Sequence, residues 1–202
     1  MNRQLPLTPP PSISVKEYRT RISKVQEEME ALQLDALFIT SEDNFLYLTG
    51  FRAPVWQNLT RPRYCIIPRE GDPRLIIPAG QAIIAKRTAG WIKDVRTWLA
   101  PQPEDDGVSL VVEALKDCSG KFNRVGAELG PESRMTMPVG DFLKIQEALK
   151  PIDIVDGDWM LRKMRMIKSP GEIELIRYVC QLVSHAFEAI PEKLHMGDTE
   201  RI

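Results

Sequence analysis

Residues 15–39 read VKEYRTRISKVQEEMEALQLDALFI, and a change of period inside this stretch decides the fold class. Val15, Tyr18, Ile22, Val25, Met29 and Leu32 recur every three or four residues, which places them on one face of a helix over 15–34. Ser14 stands at the N-cap with Glu17 three places on, the capping-box arrangement. Almost without a break the pattern becomes four consecutive apolar residues, Ala36-Leu37-Phe38-Ile39. An unbroken apolar run suits a strand covered on both faces, because alternate side chains enter two different interiors. A helix delivered straight into such a strand is the signature of an α/β domain.

The chain beyond Ile39 continues in the same style. Residues 43–49 form an apolar-rich turn or short helix that ends at Gly50, and a loop follows over 51–62. Residues 64–67 and 75–77 read as strands joined by the turn Glu70-Gly71-Asp72-Pro73, a hairpin. Helices are predicted at 81–88, 108–117 and 137–149, the second stopped before Gly120 and the third carrying Pro138 near its start. Strands are predicted at 93–98, 124–128 and 152–155, with a loop over 101–107. The sum is an α/β domain over 15–157, a mixed sheet with helices on both faces. Residues 1–14 precede it as a proline-rich arm, predicted to be extended and disordered.

A second unit is predicted from residue 158 to residue 202. Residues 159–168, WMLRKMRMIK, mix apolar and basic character. They read as a linker strand at a domain junction, with methionines filling an irregular interface, rather than as a membrane-surface segment. Ser169-Pro170-Gly171-Glu172 then opens a long helix with a cap, a proline at the first helical position and a capping-box glutamate. Ile173, Ile176, Val179, Cys180, Val183, Phe187 and Ile190 form its apolar stripe. Gly197 reads as a stop, and Asp198 or Thr199 as the cap of another helix. A stripe of this kind needs a partner layer, so the expectation is the first helix of a further domain, truncated at its next turn.

Composition excludes several classes. The formal net charge of -1 leaves no basic excess for nucleic acid. No apolar stretch approaches the roughly 18–20 residues of a membrane span, and the N-terminus lacks the apolar core of a signal peptide, so no membrane association and a cytoplasmic location are expected. Cys65, Cys118 and Cys180 include no C-x-x-C pair, which predicts reduced, buried thiols and no zinc site. No nucleophile elbow, phosphate loop or dinucleotide fingerprint occurs. His185 and His195 lack a carboxylate set at ligand spacing and read as surface or helix-end residues. Glu42-Asp43 could serve acid/base work but reads as a helix cap. Glu104-Asp105-Asp106 lacks the spacing of a calcium loop and reads as a solvated loop before a helix.

One stretch carries a functional expectation. Trp56, Arg61 and Arg63 concentrate aromatic surface and guanidinium donors in a loop expected to be exposed. Arginine is suited to bidentate capture of a carboxylate. The competing reading is an ordinary solvated loop with Trp56 packed locally.

Several segments in order resemble the creatinase, prolidase and aminopeptidase P group. They are the opening helix with residues 34–39, Asn44-Phe45-Leu46-Tyr47-Leu48-Thr49-Gly50-Phe51, and the strand Arg124-Val125-Gly126-Ala127-Glu128. The stretch from Leu161 to the cap at Ser169 and Glu172, and Gly197-x-Thr199-Glu200, complete the set. The resemblance implies a two-domain parent enzyme. Its N-terminal domain has a ribonuclease H-like fold. A downstream pita-bread domain holds two divalent metals (manganese, cobalt or zinc) and uses metal-bound hydroxide against an amide. Creatinase itself is similar in fold and works without metal. The family's metal ligands lie downstream of Ile202, so no catalytic residue, metal ligand or cofactor is expected in this chain.

On that resemblance the chain is the non-catalytic N-terminal domain of an Xaa-Pro dipeptidase- or aminopeptidase-like hydrolase, inactive alone and acting as a homodimer. The substrate is a peptide or small amide, met through the downstream domain. Loop 51–63 is a wall over the partner subunit's active site, and Arg61 or Arg63 holds a substrate carboxylate. Pro62 between them departs from the family pattern and leaves open which arginine does so. The alternatives are a stand-alone protein-binding module, as in a histone-chaperone subunit of the same fold, or a parent with creatinase-, ectoine hydrolase- or lyase-type chemistry.

Overall fold

A computed structural model describes residues 10–54, 56 and 60–199. Residues 1–9 of the expected arm over 1–14, and the end of the chain from Glu200, lie outside the described residues. The chain forms two compact units, Ser14–Met166 and the residues on either side of it.

The first unit runs α1 (Val15–Ala31), β1 (Ala36–Ile39), α2 (Glu42–Thr49), β2 (Tyr64–Pro68), β3 (Arg74–Pro78), α3 (Ala82–Thr88), β4 (Asp94–Trp98), α4 (Val108–Lys116), β5 (Arg124–Ala127), α5 (Val139–Leu149), β6 (Asp153–Asp156) and α6 (Asp158–Met166). The six strands form one sheet in the order β4-β3-β2-β1-β5-β6. β2 runs antiparallel to both neighbours, β1 and β3, whereas the β1–β5, β5–β6 and β3–β4 pairs are parallel. This is the mixed sheet with helices on both faces that the sequence predicts.

The two faces explain the unbroken apolar strands. Register pairs Leu37 with Ile67 and Ile39 with Cys65, and these side chains enter one core beneath α1, α2, α3 and α6. Phe38 pairs with Ile66 and enters the other core, with Val111 and Leu115 of α4 and Ile145 and Leu149 of α5. A one-residue slip would exchange the two sets, so both cores enforce the register.

Helix ends follow local chemistry. Ser14 Oγ accepts from the Glu17 backbone N–H at 3.2 Å. α1 stops at Ala31, short of residue 34, and Gln33 turns the chain at φ 57°. Of its predicted stripe, Val15 and Leu32 stay exposed while Ile22, Val25 and Met29 are buried. α2 ends on Gly50 at φ 75°, whose N–H bonds the Leu46 carbonyl at 2.9 Å. The left-handed backbone there costs a side chain little only when it is glycine. A Cβ at Gly50 would also meet the Tyr18 ring at 2.8 Å.

Residues 158–166 are helical, which corrects the linker strand expected there. The reason lies in spacing: Met160, Leu161 and Met164 fall on one helical face and pack into the core beneath α1, while the basic residues point elsewhere. Lys163 pairs with Glu28 of α1 at 3.0 Å. Only Cys65 of the three free thiols is buried; Cys118 is half-buried and Cys180 exposed, against the expectation for all three.

The second unit contains α7 (Pro170–Lys193), with the full capping box at Ser169 and Glu172. Ser169 Oγ accepts from the Glu172 N–H at 3.2 Å, and the Glu172 carboxylate accepts from the Ser169 N–H at 2.9 Å. Ile173, Ile176, Val179, Val183, Phe187 and Ile190 are exposed along it. The helix ends at Lys193, before Gly197, which takes φ 99°. Among the described residues no helix is long and apolar enough to cross a membrane.

Leu161 is fully buried. Leu161→Ala is expected to lower the unfolding free energy by about 2–5 kcal/mol in urea titration, the range for a buried leucine. An effect below about 1 kcal/mol would show that α6 is not part of this core.

Candidate functional site

The candidate loop is built on the start of β2. Its residues 55 and 57–59 lie outside the described set. Trp56 drops into the core against Phe45, with ring centroids 4.9 Å apart and nearly perpendicular, and against Phe51 at 5.9 Å. Edge-to-face pairs of this kind add to burial because ring edges and faces carry opposite partial charge. The Arg63 guanidinium sits 5.0 Å from the Trp56 ring centroid. Its Nε donates to Gln81 Oε1 at 2.7 Å. Burial lowers the Arg63 pKa, and the Glu42 carboxylate opposes that shift.

Trp56 and Arg63 are therefore brought together, but not on the exposed loop that the sequence predicts. They are 6% and 3% exposed. The physical reason is that a tryptophan beside Phe45 and Phe51 gains more from burial than from solvent. A guanidinium stacked on it with Gln81 at hand keeps its donors satisfied. Arg61 is different: it is only half-buried, and it donates to the neighbouring Thr60 carbonyl. Pro62, between the two arginines, is buried.

A second polar centre is absent from the sequence-based candidates. Glu128 directly follows β5 and is 2% exposed. Its Oε2 accepts from Thr40 N–H at 2.7 Å, Thr40 Oγ1 at 3.2 Å and Ser41 N–H at 2.9 Å. Its Oε1 accepts from the Ser41 hydroxyl and from Asn44 Nδ2 at 2.7 Å. Ser41 is the N-cap of α2 yet makes no side-chain cap bond, since its hydroxyl is turned to Glu128. Glu42 and Asp43, expected as caps, stand in the first turn instead, where negative charge suits the helix dipole. The centre extends further: Asn44 Oδ1 accepts from Arg165 of α6 at 3.1 Å, and Arg165 pairs with Asp43 at 3.3 Å. The Thr136 N–H donates to Thr40 Oγ1 at 3.1 Å.

This cluster occupies the carboxyl ends of β1 and β5, beside the point where the sheet order reverses. In open α/β sheets that position commonly opens a ligand crevice. Here it is taken by Glu128 and its donors. A local sequence signal for it is an acidic residue directly after the apolar run Val125-Gly126-Ala127, opposite Thr40-Ser41 at the end of β1.

The acidic loop before α4 also departs from expectation. Asp105 accepts from the Ser109 N–H at 2.8 Å at the start of α4, but Asp106 is buried rather than solvated. Among the described residues no group of three or more His, Cys, Asp or Glu side chains could hold a metal ion. The residues present therefore do not fit a two-metal centre. His185 is half-buried on α7, and His195 pairs with Asp198 at 3.6 Å.

The architecture is that of solved prolidases and dipeptidases. The prolidase of Thermococcus sibiricus superposes with a TM-score of 0.73 at 23% identity, covering 94% of this chain and 47% of that one. Dipeptidase PepE of Mycobacterium ulcerans gives 0.68 at 24%, covering 93% and 47%. In sequence, y4tL of Sinorhizobium fredii, an uncharacterized hydrolase/peptidase, is 28% identical over 191 residues, 90% of this chain and 47% of its own. Residues 21–167 match the creatinase/prolidase N-terminal domain, and the chain belongs to that family. It spans just under half the length of these relatives.

Glu128→Gln is expected to cost about 1.5–3 kcal/mol in urea unfolding, because a neutral amide accepts fewer and weaker bonds than the carboxylate. Glu104→Gln, on the exposed loop, is the control and should stay within about 0.5 kcal/mol. Equal stability of the two variants would refute the role assigned to Glu128.

Proposed function

We propose that this chain is the non-catalytic N-terminal domain of a hydrolase acting on Xaa-Pro dipeptides or related small amides. The observation that carries the reading is the family match over residues 21–167, in a chain that spans less than half of its prolidase- and dipeptidase-named relatives. The chemistry belongs to the rest of the parent protein. The metals supplying it, manganese, cobalt or zinc, would be held there and not by the residues described here.

The domain's own contribution is a pocket wall presented to a partner subunit in a homodimer. Trp56 and Arg63 form the rigid base of that wall, and Arg61 is the side chain that reaches a substrate carboxylate. The support is geometric. Arg61 is anchored on one side, by buried Pro62 leading into β2, and it is half exposed. A guanidinium on an anchored segment loses less freedom on binding than one on a free loop.

The isolated chain, supplied with manganese, cobalt or zinc and glycyl-proline, is expected to show no hydrolysis; turnover would overturn its non-catalytic assignment. In the parent enzyme, Arg61→Ala is expected to raise KM for glycyl-proline about 10- to 100-fold with a smaller change in kcat, the loss of one charged hydrogen bond. An unchanged KM would remove Arg61 from the pocket. Sedimentation of the parent protein should give a dimer, and a monomer active at the same concentration would rule out the in-trans wall.

A further inference from the structure

One line of side chains along α7 is partly covered. From Ile173 to Lys193, Leu175, Tyr178, Leu182, His185 and Ala189 are half-buried, and every other residue is exposed. Their spacing alternates between three and four, so they form one narrow stripe. It lies roughly a third of a turn around the helix from the exposed apolar residues Ile176, Val183 and Phe187. On this line His185 Nδ1 is withdrawn from solvent without a hydrogen-bond partner. An uncovered helix surface leaves such an atom in water.

The N-terminal arm is the chain at hand to cover it. Residues 1–13 and 167–202 cluster as one compact unit, distinct from Ser14–Met166. Pro11 and Ile13 are half-buried while Pro10 and Ser12 are exposed, the alternation of an extended segment with one side against a surface. The first unit also brings its two connections to one region. Arg21 Nη1 of α1 donates to the Tyr47 carbonyl at 2.7 Å, and the Tyr47 hydroxyl donates to the carbonyl of Met164, near the end of α6, at 3.4 Å. Length is sufficient. Residues 1–13 in extended, proline-rich form reach about 40 Å. The stripe from Leu175 to Ala189 is about 21 Å long at the rise of a helix.

We infer that residues 1–13 of this chain dock along α7, laying Leu5, Leu7 and Ile13 on the Leu175–Ala189 stripe. Prolines at positions 6, 9, 10 and 11 pre-set the extended form, so little conformational freedom is lost on docking, and the Tyr178 ring offers a flat surface of the kind proline-rich segments favour. Charge agrees with this direction of travel. Measured back from Ser14, Arg3 comes about 34 Å along the arm. Glu188 and Glu192, both exposed, stand about 27 and 33 Å from the start of α7. That end of the helix carries the negative pole of its dipole and favours a cation. The docking uses one face of α7 and leaves the Ile176–Phe187 face open, and it does not depend on the reaction of the parent enzyme.

Hydrogen exchange of the 202-residue chain reads the docking. In the double variant Leu5→Ser, Leu7→Ser, amides over 175–189 are expected to exchange about tenfold faster, because local opening no longer has to displace the arm. Amides of β1 and β5 should keep their protection. The control, Gln4→Ser with Thr8→Ser, should leave 175–189 as it was. Unchanged exchange over 175–189 in the leucine variant overturns the docking, as does an equal acceleration in the control. A second measurement needs no variant. Methyl NOEs from Leu5 and Leu7 to the Tyr178 ring and the Leu182 methyls are expected within one molecule and should survive roughly tenfold dilution. Their absence overturns the inference. Cross-peaks that arise between differently labelled molecules of a mixed sample would give the face to a second copy of the chain and overturn it too.

Discussion

One buried carboxylate organises the ends of three elements. Glu128 accepts from Thr40, Ser41 and Asn44, and so ties the end of β5 to the end of β1 and the first turn of α2. Backbone N–H groups at a helix start have no partner within the helix, and they must find one elsewhere when buried. Here a residue more than eighty positions away supplies it. The arrangement joins strand order to helix direction, because α2 can leave β1 at this angle only if β5 lies alongside. Asn44 then passes the connection to Arg165, so α6 is oriented by the same centre.

The aromatic group beneath the candidate loop depends on that direction. α2 carries Phe45 inward, and Phe45 receives Phe51 and Trp56. Arg63 closes over Trp56 and reaches Gln81. The base of the loop is thus an extension of the core, not a flap laid over it. What remains at its rim is Arg61, half-buried and followed by the buried Pro62 that leads into β2. That separation of a rigid base from an accessible rim is common where a domain presents a side chain to something outside itself.

The sheet was legible because its signals are local. Four apolar residues in a row at β1, a hairpin turn at Glu70-Gly71-Asp72-Pro73 and β-branched runs in β2 and β3 each name a strand without knowledge of its neighbours. The cap of α7 was legible for the same reason. α6 was not, since three methionines among basic residues fit a helix face and a junction equally well until the core beneath α1 is known. Trp56 and Arg63 were recognisable as unusual residues, but their burial depends on Phe45 and Gln81, distant in sequence. Glu128 and Asp106 were the least legible. One acidic residue after a strand and another in an acidic loop look solvated, and only tertiary packing removes them from water.

The position of α6 bears on how the domain is made. Met160 and Leu161 sit against the face that also receives Val25 and Met29 of α1, so the first helix of this unit is packed by its last. A nascent chain emerges from its N-terminus and folds as segments become available. Until α6 has appeared, the part of that face that Met160 and Leu161 cover lacks its packing. The last nine residues of the unit therefore complete a core whose other elements all precede them in the chain.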